Sequence, residues 1–284
     1  MITIHSIEDI RIYVEQAKRR GETIGFVPTM GFLHDGHGSL IEHAREDNQQ
    51  VIVSIFVNPL QFGPNEDFDR YPRDLPKDQA FCEASGVNAI FAPSATEMYG
   101  EEGALTQIHV DALGDHLCGA SRPGHFDGVA TVVAKLFNII QPDRAYFGKK
   151  DFQQLSIVKR LVQDLSIPVE IIGVETVREA DGLAKSSRNA YLTPEERTIA
   201  PELRKSLKRI QLHVAEGAND LDQLIDAERS HFASLERIRI DYLTCVDLKK
   251  LQPIHKLEAG EEGVCAIAAF VGNTRLIDNI LLTR

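Results

Sequence analysis

Residues 51–56, Val51-Ile52-Val53-Ser54-Ile55-Phe56, form a near-continuous apolar run. A strand written this way has both faces buried, as when helices cover the two sides of a parallel sheet. The first 176 residues keep to the same grammar. Residues 7–20 carry Ile7, Ile10, Val14 and Ala17 at helical spacing. A strand at 23–27 leads to a helix at about 39–48, with Ser39 as its N-cap and Glu42 three residues on. Further helices are expected near 77–85, 129–140 and 152–165, with strands at 88–92, 144–147 and 169–174. Residues 98–125 read as irregular apart from a strand at 106–110. Strands alternating with helices make a Rossmann-like parallel α/β sheet.

Beyond Thr176 the pattern changes. A helix opens at Pro194-Glu195-Glu196 and runs to 216, where Gly217 fits a stop, and a second fits 219–235. Strands follow at 238–246, 264–271 and 275–282, the last two joined by a turn at Gly272-Asn273. The expected organisation is therefore a Rossmann-like domain over 1–176 and a smaller α+β C-terminal lid domain over 177–284.

A net charge of −11 argues against a general nucleic-acid or anionic-membrane binder, whose affinity comes from neutralising phosphates. An anionic small substrate would need a local positive pocket. The four cysteines (Cys82, Cys118, Cys245, Cys265) are scattered, as in proteins of a reducing compartment. The N-terminus shows no basic segment followed by an apolar one, and no apolar run approaches the roughly 18 residues of a membrane span. A cytoplasmic protein is expected.

Four stretches carry chemistry. The first is 26–41, FVPTMGFLHDGHGSLI, in which a strand meets a glycine-bearing turn and a helix start beside His34 and His37. Backbone N–H groups and the helix dipole suit an anion there, and imidazoles can bond phosphate oxygens. It is not a Walker A loop, since no G-x-x-x-x-G-K-[ST] occurs, and Ile41 stands where a dinucleotide fingerprint needs its third glycine. A closed zinc site would want four ligands, and no cysteine is near. Two surface histidines on a Gly-rich turn would have the same spacing. The second stretch is Val57-Asn58-Pro59-Leu60-Gln61-Phe62, just past a strand's C-terminal end. Its amides suit a substrate with hydroxyls and a carboxylate, though turn amides also bond their own backbone.

The third is Gly148-Lys149-Lys150-Asp151-Phe152-Gln153-Gln154, where a helix start, a lysine and an aspartate could meet phosphate, ribose or hydrated Mg²⁺. A solvated Lys-Lys pair is the plainer account. The fourth, Lys185-Ser186-Ser187-Arg188-Asn189, places hydroxyls and a guanidinium where a loop could close over a triphosphate. An ordinary polar linker has the same composition.

The literal strings go further than the spacing. P-T-M-G-x-L-H-x-G-H resembles the nucleotide-binding signature of the nucleotidylyltransferase superfamily, in the wording of the pantoate–β-alanine ligase family. V-N-P-x-Q-F, S-R-P-G-H-F, G-x-K-D-x-Q-Q and an S-S-R-N loop of K-M-S-K-S type follow in family order, so the resemblance covers the whole chain. It implies ATP contacts at Met30, His34, His37, Gly148, Lys150, Asp151, Val177, Lys185, Ser186, Ser187 and Arg188. It implies pantoate contacts at Pro28, Thr29, Met30, Asn58, Gln61 and Gln154. His34, His37, Lys150 and Arg188 would be catalytic, Asp151 the candidate for Mg²⁺, and Arg122 and His125 site residues of unassigned role. The implied activity is ATP-dependent condensation of pantoate with β-alanine by way of pantoyl adenylate, in a homodimer. A nucleotidylyltransferase acting on a phosphorylated alcohol, or a nucleotide-binding module without turnover, shares the first signature. Two positions depart from the family pattern, Asp127 for a basic residue and Lys149 for an acidic one. Facing each other, they would make a reversed charge pair.

Overall fold

The computed structural model describes residues 1–64 and 66–284, so one residue of the long 58–74 loop, Asn65, lies outside the description. The chain divides into two compact units. The first comprises Met1–Val110, Arg122–Lys149 and Gln154–Glu175. The second comprises Asp111–Ser121, Lys150–Gln153 and Thr176–Arg284.

The first unit carries six parallel strands, β1 (Ile2–Ile4), β2 (Ile24–Thr29), β3 (Gln50–Ile55), β4 (Ala89–Phe91), β5 (Arg144–Gly148) and β6 (Glu170–Val174), in the order β1-β4-β3-β2-β5-β6. The apolar run at 51–56 is β3 and, as its composition requires, lies inside the sheet between β2 and β4. The short edge strand β1 has no expectation behind it, because three residues give no readable period. Helices α1 (Ile7–Arg19), α2 (Asp35–Asp47), α3 (Leu75–Ala84) and α4 (Ala95–Tyr99) connect the first four strands and lead on from β4. Val27, Ile41, Val51, Val53, Cys82 and Ile90 pack into one buried cluster between sheet and helices.

Strand order reverses between β2 and β5, and ligands of open α/β sheets bind at the C-terminal edge of such a switch point. Pro28 sharpens it. A central strand rarely tolerates proline, which has no N–H to give the ladder. Here the β2–β5 pairing ends at Phe26, so Pro28 falls where the two strands have already parted.

Three local expectations fail for identifiable reasons. Helix α2 starts at Asp35 and not near Ser39, because His34 is the N-cap in place of a serine. No strand forms at 106–110; the Ile108 N–H bonds Thr131 Oγ1 at 2.9 Å instead of a neighbouring strand. The helix expected over 194–216 is two helices, α8 (Pro194–Ile199) and α9 (Glu202–Ala215), because Pro201 cannot continue the hydrogen-bond ladder. Between these regions lie α5 (Cys118–Ser121), α6 (His125–Ile140) and α7 (Phe152–Asp164). The second unit also holds α10 (Leu221–Ala233) and an antiparallel sheet of β7 (Ile238–Val246), β8 (Glu262–Val271) and β9 (Thr274–Thr283). Leu207, Ile210, Phe232, Leu243, Ile267 and Leu282 are among its core residues. Among the described residues, no helix is long and apolar enough to cross a membrane.

Candidate active site

In the first unit the site residues gather after the C-terminal ends of β2 and β3. The turn after β2 passes through two left-handed residues, Gly31 at φ 83° and Phe32 at φ 53°. Asp78 of α3, only 2% exposed, clamps it by accepting from the Phe32 N–H at 2.9 Å and the Leu33 N–H at 2.7 Å. Burial raises the Asp78 pKa, and those two N–H groups oppose the rise. A Cβ on residue 31 would come within 2.8 Å of the Asp78 carboxylate, so glycine is required there twice over.

His34 and His37 close the N-terminus of α2 as a reciprocal cap. The Gly36 N–H donates to His34 Nδ1 at 3.0 Å, and the His34 N–H donates to His37 Nδ1 at 3.2 Å. An accepting Nδ1 leaves the proton of a neutral imidazole on Nε2. Both rings, 4.2 Å apart between centroids, thus present Nε2–H as their donor edge at a helix N-terminus.

After β3, a single helical turn (Pro59–Gln61) carries the two amides. Asn58, 1% exposed, has every polar side-chain atom engaged. Its Nδ2 donates to Gln61 Oε1 at 3.2 Å and to the Gly128 carbonyl at 3.1 Å, while Oδ1 accepts from Tyr99 at 2.8 Å and from the Leu60 N–H at 3.3 Å. Burial keeps the Tyr99 phenol protonated by pushing its pKa up. The amide of Gln61 is oriented as a result, with Nε2 turned to Met30 Sδ at 3.1 Å, a weak acceptor. Thr29 points inward, donating to the Ser54 carbonyl at 2.7 Å. Gln154, on α7, has no hydrogen-bond partner for its amide among the described residues.

Arg122 and His125 lie against the same turn. Arg122 pairs with Glu66 through two hydrogen bonds of 2.7 and 2.5 Å and reaches His125 Nε2 at 2.9 Å. His125 Nδ1 in turn donates to the Gln61 carbonyl at 2.8 Å. Glu66 had no sequence signal, being one acid among several in a long loop. The expected pair of Asp127 and Lys149 does not form, because each has a nearer partner. Asp127 accepts from His109 at 2.8 Å, and Lys149 pairs with Glu175.

The second unit holds the cationic group. Lys150 keeps partial access to solvent, yet enough atoms surround it for burial to lower its pKa. Asp151 opposes that fall, Arg188 adds to it, Asp278 opposes it and Arg178 adds to it. Its ammonium donates to the Lys185 carbonyl at 3.2 Å. Residues 177–185 form a small hairpin, with Lys185 N–H to the Val177 carbonyl at 2.9 Å and Glu179 N–H to the Leu183 carbonyl at 2.8 Å. Ser186 then accepts from the Arg188 N–H at 3.3 Å, so the serine and arginine are fixed within one turn. Among the described residues, no cluster of three or more His, Cys, Asp or Glu could hold a metal ion without help. The single carboxylate of Asp151 suits a hydrated Mg²⁺ that arrives on phosphates, since that ion keeps most of its waters.

The chain matches the family model for pantoate-beta-alanine ligase over residues 2–281. It is 52% identical over 282 residues to a pantothenate synthetase of Moorella thermoacetica, covering 99% of both chains. The pantothenate synthetase of Thermus thermophilus matches with a TM-score of 0.92 and 46% identity over 100% of both chains. The pantoate-beta-alanine ligase of Francisella tularensis, solved with beta-gamma ATP and beta-alanine, matches with a TM-score of 0.80 and 36% identity, covering 99% of this chain and 97% of that one.

Proposed function

The chain belongs to the pantoate–β-alanine ligase family and is an ATP-dependent ligase condensing pantoate with β-alanine; on that premise we propose that it works through a pantoyl adenylate and assign its residues. One pantoate carboxylate oxygen attacks the α-phosphorus of ATP, and the bond to the bridging oxygen breaks to release pyrophosphate. The amine of β-alanine then attacks the acyl carbon, AMP leaves with the bonding electron pair, and the amine loses a proton to give the amide. Neither step needs a side-chain nucleophile; both need alignment and charge stabilisation.

The observation that carries this reading is the oriented amide of Gln61. Among the described residues its Nε2–H donor meets only a thioether, Met30 Sδ, and a pantoate oxygen in that place accepts a stronger bond. Asn58 serves as a positioning residue, because a direct contact with substrate would cost it one of its existing bonds. Gln154 supplies a second amide, and Pro28, Thr29 and Met30 shape the pocket wall at the switch point. Arg122 and His125 hold the main chain of Gln61. His34 and His37 donate from Nε2 to phosphate oxygens, with Met30 and Gly148 beside the nucleotide. Lys150, Arg188, Ser186 and Ser187 contact the triphosphate, and Val177 and Lys185 complete the nucleotide contacts. Bound Mg²⁺ would neutralise phosphate charge, with Asp151 as its acidic contact through water. A homodimeric assembly is carried over from the family resemblance alone.

Pantoate-dependent exchange of labelled pyrophosphate into ATP, without β-alanine, tests the adenylate. Exchange is expected with pantoate and absent without it. Pyrophosphate release only when β-alanine is also present, with no exchange, would favour direct three-substrate condensation.

A further inference from the structure

Strand β9 alternates Thr274, Leu276, Asp278, Ile280 and Leu282 toward the core of the second unit. A carboxylate in that row, 4% exposed, is out of place by composition and must be paired to be tolerated. Its partner is Arg178, which forks onto it with bonds of 2.7 and 2.9 Å. Arg178 also donates to the Gly182 carbonyl at 3.1 Å, and so spans the 177–185 hairpin. The next residue of β9 reaches the other phosphate-binding segment, since Asn279 Nδ2 donates to the Lys150 carbonyl at 2.8 Å. The Asn279 N–H closes the arrangement by donating to Asp278 Oδ1 at 2.8 Å. Two adjacent residues of one rigid strand therefore hold the main chain at Lys150 and the hairpin that leads into Ser186 and Arg188.

We propose that Asp278, through Arg178 and together with Asn279, is a positioning residue of the adenylation step, fixing the spacing between Lys150 and the Ser186–Arg188 turn. The inference rests on the reading of Lys150 and Arg188 as ATP contacts. A buried bidentate pair is a poor device for stability, because well-packed apolar residues of similar size often do as well or better. It is a good device for orientation, because the guanidinium fork accepts only one geometry.

The test separates those two uses. In Asp278→Asn, the KM for ATP or the rate of pyrophosphate release should worsen by roughly tenfold, with the KM for pantoate within about twofold of wild type. The double variant Asp278→Leu with Arg178→Met replaces the pair by apolar groups. Thermal stability should return in it while the ATP kinetics stay impaired. Recovery of stability and ATP kinetics together would reduce Asp278 to a structural role and overturn the inference. Should Asp278→Asn fail to fold, the double variant decides alone. Lys150→Ala, measured beside them, separates the two levels: unaltered ATP kinetics there overturns the reading of Lys150, whereas impairment there with normal Asp278→Asn overturns only the inference.

Discussion

Gln61 and Lys150 are both assigned to substrate, and their surroundings differ in kind. In contact with the Gln61 side chain and its turn the protein sets neutral groups, Asn58, Tyr99 and the Gly128 carbonyl, each with its donors and acceptors allotted. Behind them the nearby ion pair, Glu66–Arg122, neutralises itself. Around Lys150 it gathers charge, with Arg188 and Arg178 against Asp151 and Asp278. A neutral pocket selects by the polarity and placement of hydrogen bonds, because a wrong ligand leaves buried groups unpaired. A cationic one stabilises any oxygen that gains negative charge, and does so most strongly where burial lowers the local dielectric. Selection of pantoate and stabilisation of the leaving phosphates are thus assigned to separate sets of side chains, and they can be broken separately.

The largest effect is expected at Lys150. Lys150→Met removes the charge but keeps most of the volume, and should slow pyrophosphate release by about 10³-fold, the scale of losing one preorganised charge-stabilising donor. Lys150→Arg should recover little, since a planar fork cannot take the place of a compact ammonium donating to the Lys185 carbonyl. The pantoate KM should stay near wild type in both. A Lys150→Met enzyme within a few-fold of wild-type rate would erase the proposed division.

On the neutral side, Gln61→Ala and Asn58→Asp should part company. Losing the Gln61 amide should raise the pantoate KM by roughly tenfold or more at a stability cost near 1 kcal/mol. Asn58→Asp keeps the acceptor for Tyr99 and Leu60 but brings no donor, so Gln61 Oε1 and the Gly128 carbonyl would face a carboxylate. That should raise the pantoate KM and also cost about 2–4 kcal/mol of stability, read as a fall in the urea midpoint. If Asn58→Asp impairs pantoate binding without loss of stability, Asn58 contacts substrate directly and the positioning role is wrong.

The sequence carried the parallel sheet openly, because β3 is apolar throughout, and it carried the site motifs as strings around His34, Gln61, Lys150 and Ser186. What it did not carry depends on distant pairing. Asp78 clamps a turn 45 residues earlier in the chain, and in the sequence it is one more charge on a helix. Asp278 breaks the alternation of β9, but only its partner shows why. Gly128 looks like a flaw in α6, yet a Cβ there would sit 2.3 Å from the Leu60 carbonyl, so the glycine lets the amide turn approach the helix. The misplaced start of α2 has a different cause. Side-chain caps are expected from serine, threonine, aspartate or asparagine, and here two histidines do the capping.

The smallest effect, and the finest division, concerns Glu66. Burial would raise its carboxyl pKa, but the hydrogen bonds and charge of Arg122, with the Gly63 N–H, outweigh burial and hold it below the ordinary glutamate value of 4.5. A carboxylate with a lowered folded-state pKa lends its stability above the unfolded value and loses it as the pH falls through the folded one. Wild type and Glu66→Gln should therefore differ by a constant amount from neutrality down to about pH 5, of order 1 kcal/mol or about 2 °C in Tm. Below about pH 4.5 the difference should shrink toward zero, because protonation makes the wild-type residue resemble glutamine. Glu66 also steadies Arg122, which holds His125 and, through it, the Gln61 carbonyl. The pantoate KM of Glu66→Gln should accordingly rise a few-fold at pH 7 with the ATP KM unmoved. A Tm difference that persists unchanged at pH 3.5 would mean that the pair contributes through packing, and the chain of contacts from Glu66 to Gln61 would lose its electrostatic footing.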